Sequence, residues 1–135
     1  MKRLYFALAL FAALGCSGLE AQTTFMNASI PFDFQIGKTP MPAGQYDVNC
    51  SGRVLMIREH GGSHVAIVLT IPTSRAVTPG TGMLEFNRYG DTYYFAQIWT
   101  PNSREGGALL KTPREKELAR QGGPIQPTAI ALWSK

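Results

Sequence analysis

Cysteine, histidine and charge are all scarce in this chain. The 135 residues hold two cysteines and two histidines, and only 16% of them are Asp, Glu, Lys or Arg. Once an amino-terminal leader is set aside, Cys50 stands alone, so no disulfide can form within the remaining domain and no cysteine cluster can hold a metal. The 13 basic and 9 acidic residues leave a net charge of +4. That balance is mild and its basic residues are scattered, which argues against a nucleic-acid footprint. No apolar run is long enough to cross a bilayer as a helix. There is no Gly-rich phosphate loop ahead of a helix, no long-period repeat, no low-complexity block and no linker that would divide the chain.

What is present begins with an export pattern. Met1-Lys2-Arg3 is followed by an apolar stretch from Leu4 to Leu14 and then by small residues. A basic start, a short apolar core and a small residue at the cut describe a secretory signal peptide. The reading adopted is a signal over 1–21, cleaved after Ala21, and one domain over 22–135. The competing possibility is lipid attachment at Cys16, because Ala13-Leu14-Gly15-Cys16 is similar to a lipobox. Removing 1–21 leaves 114 residues with 11 basic and 8 acidic side chains, a net charge of +3. That length buries one modest core. The expected location is periplasmic or extracellular, with no transmembrane segment in the mature chain.

Short strands recur through that domain. Ile30, Phe32, Phe34 and Ile36 fall at period two, predicting a half-buried strand within Thr23 to Ile36. Pro31 must then lie at an edge or a strand start, since it cannot donate to a ladder. A Pro- and Gly-rich turn follows from Gly37 to Gly44. Gln45–Cys50 and Val54–Arg58 flank the tight turn Ser51-Gly52. Tyr46 and Val48 share one face, and Leu55 and Ile57 lie opposite Val54, Met56 and Arg58. The nearly continuous apolar run Val65–Ile71 predicts a strand buried on both faces. Pro72–Gly82 and Pro101–Gly107 read as loops. Thr112 is a helix cap, Pro113 suits the first helical position, and Glu115 completes a capping box. The helix should reach about Arg120 and dock through Leu118. Ile125 to Trp133 reads as a closing strand with Pro127 near its start.

The densest stretch is Met83–Pro101, MLEFNRYGDTYYFAQIWTP. Gly90-Asp91 between two alternating segments is a two-residue hairpin turn. It places Tyr89 opposite Thr92, Arg88 opposite Tyr93, Asn87 opposite Tyr94 and Phe86 opposite Phe95. Strict alternation then assigns Leu84, Phe86, Arg88, Tyr93, Phe95, Gln97 and Trp99 to the core face. The other face, with Tyr89, Tyr94 and Ile98, is expected to be partly covered. This hairpin is the expected centre of the sheet.

Four local strings occur together: Ile30-Pro31-Phe32-Asp33-Phe34, Pro42-Ala43-Gly44-Gln45-Tyr46, Arg88-Tyr89-Gly90-Asp91 and the Thr112–Ala119 helix. Together they resemble an uncharacterised family of small exported bacterial proteins, with Met41 where that pattern has Leu. The resemblance spans nearly the whole mature chain. It implies architecture and export, and it carries no activity and no site residue.

Chemistry-bearing residues are few. His60 and His64 have a helical metal spacing, but Gly61-Gly62 between them opposes a helix, so they read as surface turn residues. His60-Gly61-Gly62-Ser63 looks like an oxyanion loop, yet it lacks the Gly-x-Ser-x-Gly elbow and the strand–helix alternation such a loop needs. Asp33, Asp47, Glu85 and Asp91 have no reason in the sequence to pair, and Asp91 serves the turn. No catalytic residue, metal site or cofactor is assigned. The candidate binding residues are Tyr89, Tyr94 and Trp99, because rings with polar tips suit protein or glycan surfaces. The expectation is an all-β antiparallel sandwich or partly open small barrel with one short carboxy-terminal helix. Its expected role is a non-enzymatic module that binds an envelope or extracellular protein or glycan. The alternative is a small β-barrel carrier of an apolar ligand.

Overall fold

The structure is a computed structural model and describes residues 23–76, 80–122 and 126–134. The expected signal peptide, the Cys16 anchor and Ile125 lie outside these residues. Among the described residues there are eleven strands: β1 Thr23–Ile30, β2 Phe34–Ile36, β3 Thr39–Met41, β4 Gly44–Ser51, β5 Val54–Glu59, β6 Val65–Leu69, β7 Ile71–Ser74, β8 Met83–Tyr89, β9 Thr92–Trp99, β10 Glu105–Ala108 and β11 Gln126–Ser134. The one helix among the described residues, α1, spans Pro113–Gln121.

The strands form one sheet in the order β3-β2-β9-β8-β11-β1-β4-β5-β6, all antiparallel neighbours except the parallel pair β2–β9. The sheet curls back on itself through a kinked strand. β6 runs through Thr70 into β7, β7 pairs with β10, and β10 pairs with β9. Thr70 anchors the corner, its backbone N–H and its Oγ1 both donating to Arg53 O at 2.8 and 3.1 Å. The result is a nearly closed barrel, one of the two all-β architectures expected, a sandwich or a partly open barrel.

Its interior is filled by its own side chains. Met26, Ala28, Ile30, Phe34, Ile36, Tyr46, Val48, Leu55, Ile57, Leu84, Phe86, Phe95, Ile98 and Leu132 are buried in one cluster. Phe86 sits at the centre, edge-on to Phe32, Phe34 and Phe95 at ring separations of 5.1, 5.3 and 5.8 Å. Each such aromatic pair adds about 0.5–1.5 kcal/mol beyond the area it buries.

Five expectations change. First, Thr23–Ile36 is two strands rather than one. Pro31 falls in the break, and β2 leaves β4 and β11 to pair with β9 and β3. Second, the hairpin register holds from Tyr89–Thr92 to Phe86–Phe95, but then a bulge intervenes. Ala96 is the extra residue, and its carbonyl accepts from Leu109 N at 2.8 Å. Beyond it Leu84 faces Ile98 and Met83 faces Trp99, so Ile98 enters the core while Gln97 and Trp99 turn to the outer face. A bulge exchanges faces because the side-chain period of a strand is two.

Third, β6 is not buried on both sides. Ala66 and Val68 face inward, whereas Val65, Ile67 and Leu69 are exposed. Fourth, β10 occupies part of the expected polar loop. Its glycines permit the approach: a Cβ on Gly106 would lie 2.5 Å from Ile98 O, and one on Gly107 2.6 Å from Thr70 Oγ1. Fifth, Pro72–Ser74 and Thr39–Met41 supply strands where turns and loops were expected. Pro127 is tolerated because β11 has only β8 beside it there; its pairing with β1 involves Leu132–Ser134.

Candidate functional site

The three aromatic candidates are structural in different ways. Tyr94 and Trp99 are only 6% and 2% exposed. Tyr89 is half-buried and meets Tyr94 edge-to-face at 5.8 Å. The cover over Tyr89 is α1. Thr112 Oγ1 accepts from Glu115 N at 3.2 Å, which is half of the expected capping box. The Glu115 carboxylate, however, turns to the sheet, and its Oε1 accepts from Tyr89 Oη at 3.0 Å and Asn87 Nδ2 at 3.3 Å. Glu115 is 4% exposed and is the residue that docks the helix, while Leu118, the expected docking residue, is half-buried. Burial, together with the Glu115 hydrogen bond, pushes the Tyr89 phenol up to about 12.

Trp99 is covered from another side. The Arg75 guanidinium lies over its ring, 3.9 Å from the centroid, and pairs with Glu85. The outer face of the hairpin is therefore closed by Arg75 and α1, and it offers no flat aromatic patch built from Tyr94 and Trp99.

The polar candidates have separate partners. His64 Nδ1 lies 2.7 Å from Glu59 Oε2, while His60 Nδ1 lies 3.6 Å from Asp47 Oδ1. Asp33 Oδ1 accepts from Ala43 N at 2.8 Å, and Asp91 lies 3.7 Å from Arg88. Among the described residues no three His, Cys, Asp or Glu side chains converge as metal ligands.

Two features remain. One is a half-open cavity of about 540 Å³ at the barrel mouth, lined in part by Cys50, Arg53, Thr70, Pro72, Ile98 and Glu105. Burial raises the Cys50 thiol above its ordinary pKa.

The other is the outside of β1, β4, β5 and β6. Strand pairing lays its side chains out in rows: Leu69 beside Val54, Ile67 beside Met56, and Met56 beside Asn49 and then Phe25. Leu69, Ile67 and Phe25 are 70%, 65% and 58% exposed, and Val54 and Val65 are exposed too. Asn49 Oδ1, between Met56 and Phe25, has no donor among the described residues. Scattered surface apolar residues are ordinary, but contiguous ones rimmed by polar groups mark contact sites. Sequence reading missed this surface because an apolar run says nothing about which side of a strand is covered.

No family model, curated protein or solved structure matches the chain. The described residues form a small, nearly closed, mainly antiparallel β-barrel with one docked helix.

Proposed function

We propose that the chain is an exported, non-enzymatic β-domain that works by binding another protein in the cell envelope or outside the cell. The observation that carries this reading is the exposed apolar surface of β5 and β6, extended across Asn49 to Phe25. It replaces the hairpin as the contact face. Water around such a surface favours its burial, at about 25 cal/mol per Å². The leader pattern at 1–21 supports export, and the mild charge supports a protein rather than a nucleic-acid partner.

The test is capture from the native envelope and culture fluid by the tagged chain. A Val54→Ser/Met56→Gln/Phe25→Ser variant should lose its specific partner while keeping its melting temperature. Tyr89→Phe should keep the partner. Equal capture by the triple variant would overturn the reading.

The mouth cavity favours a second reading, a carrier of a small apolar ligand. Its volume lies within the usual range for ligand sites, though the filled interior restricts any ligand to the mouth. Protection of Cys50 from a thiol reagent by the native ligand is the expected sign; unchanged labelling in envelope extract counts against it.

A further inference from the structure

The inward-facing side chains change character along the barrel. Through its middle they are apolar and packed. At the mouth they become polar, and strand pairing shows which ones point inward. Ile98, a core residue, lies opposite Gly107, and Gly107 lies opposite Pro72. Two residues along, Glu105 lies opposite Ser74, so both share the face of Ile98. Across the mouth, Arg53 stands two residues before the core residue Leu55 and lines the same cavity as Glu105.

Thr70 joins the two walls. It is 3% exposed, and its hydroxyl donates to Arg53 O at 3.1 Å, which leaves the hydroxyl oxygen able to accept. A Cβ on Gly107 would point at Thr70, 2.6 Å from its Oγ1, so glycine keeps this part of the wall open.

Two opposite charges line this cavity of about 540 Å³ without meeting each other. The Arg53 guanidinium donates through Nε to Thr70 O at 3.2 Å, which fixes it against the wall. Its two terminal nitrogens have no acceptor among the described residues. The Glu105 carboxylate has no donor or ion-pair partner among the described residues; only the Glu105 backbone N–H is bonded, to Ser103 Oγ at 3.1 Å. Elsewhere on the molecule such groups pair, Arg75 with Glu85 and His64 with Glu59.

We propose that the mouth cavity binds a small apolar zwitterion of dipeptide size, held by its two charged ends. Its carboxylate meets the terminal nitrogens of Arg53, and its ammonium meets Glu105 and the Thr70 hydroxyl. Ile98 and Pro72 form the floor under its apolar side chains. The two walls select against simpler ligands. A lone carboxylate is repelled by Glu105 and a lone ammonium by Arg53, whereas a zwitterion satisfies both. The cavity is half open to water, so binding is weak, with a dissociation constant on the order of 0.1–1 mM. The inference rests on the carrier reading for its site and gives that site a ligand class; it does not depend on the β5–β6 contact face.

The test follows backbone amide shifts of the isotope-labelled, purified chain during titration with Leu-Leu, its C-terminal amide, N-acetyl-Leu-Leu and hexanol. Thr70, Gly106 and Gly107 should shift and saturate with Leu-Leu. The two capped forms each lack one charge and should bind about tenfold more weakly or worse. No shift at these residues, or equal affinity for Leu-Leu and both capped forms, overturns the proposal.

Variants assign the ends. Arg53→Gln should weaken Leu-Leu by about tenfold or more without weakening the C-terminal amide. Glu105→Gln should weaken Leu-Leu similarly without weakening N-acetyl-Leu-Leu. Loss of all three ligands alike in both variants, at an unchanged fold by circular dichroism, counts against the assignment. Glu105→Gln decides alone if Arg53→Gln fails to fold, because the Glu105 side chain holds no other described residue in place. Hexanol separates the two readings of the cavity. If it binds at the same residues as tightly as Leu-Leu, the carrier reading stands and the zwitterion falls. If neither binds, both fall.

Discussion

Tyr89 Oη donates to Glu115 Oε1 at 3.0 Å, and this bond joins the turn end of the β8–β9 hairpin to the first turn of α1. A helix of nine residues is too short to persist unaided in water. Its place on the barrel depends on a buried carboxylate that accepts from a phenol and from the Asn87 amide.

Glu115→Ala should therefore cost about 1–3 kcal/mol, because it leaves the Tyr89 hydroxyl and the Asn87 amide under cover without their acceptor. Glu115→Gln keeps an acceptor oxygen and should cost less. Urea unfolding of both variants checks the order. Equal stability of Glu115→Ala and the unchanged chain would show that the helix is held by other contacts.

Arg75 covers the other part of the same face, with its guanidinium over Trp99 and paired to Glu85. Its side chain is about one-third exposed, so solvent screens the ion pair. Arg75→Lys keeps the charge but loses the flat ring contact. We expect Arg75→Ala to lower stability by about 0.5–2 kcal/mol, Arg75→Lys to fall between, and Trp99 fluorescence to shift to the red in both. An unshifted spectrum would mean that the guanidinium does not shield the indole.

The glycines of β10 should be intolerant. A Cβ at Gly106 meets the Ile98 backbone carbonyl and the Trp99 ring, and one at Gly107 meets the Thr70 side chain. Backbone cannot give way as a side-chain end can, so Gly106→Ala should cost more than Gly107→Ala, both in the range of about 1–3 kcal/mol for overpacking. Amide exchange should show β7 and β10 opening first. Uniform loss of protection across the sheet would indicate that the barrel closes and opens as one unit.

Two phenols make the fold sensitive to alkali. Tyr46 is pushed up to about 12 by burial and by the nearby Glu59 and Asp33 charges, and its hydroxyl donates to Pro42 O. Tyr89 is likewise raised to about 12. Ionisation is easier in the unfolded chain, near pH 10. A raised folded-state value means that this stabilisation is complete below pH 10 and is lost as pH climbs toward 12. A tyrosinate absorbance titration of the native chain minus that of Tyr46→Phe should give a midpoint near 12. A midpoint near 10 would place that phenol in free contact with water.

Much of the fold was legible in order along the chain. Gly90-Asp91 specified the turn and the register down to Phe86–Phe95, because only a two-residue turn joins those alternating runs. Thr112 and Pro113 located the helix start, and period two paired Tyr46 with Val48 and Leu55 with Ile57 on shared faces, which the fold turns to the core. The Ala96 bulge was not legible, since its cause is the Leu109 amide pinning a carbonyl from another part of the chain. Strand β10 was not legible either, because Glu-Gly-Gly-Ala has no pattern and becomes a strand only between β7 and β9.

The amino acids by themselves determined a leader pattern, an all-β domain with one short helix, a half-buried cysteine in a strand and the central hairpin. Those follow from local rules of turn, cap and alternation. Which aromatic residues lie inside, how Glu115 holds the helix, and that Val65, Ile67 and Leu69 face water were decided only in three dimensions. Burial of a residue depends on which strand lies beside and above its own, and that neighbour is set by long-range pairing rather than by the residue's local sequence.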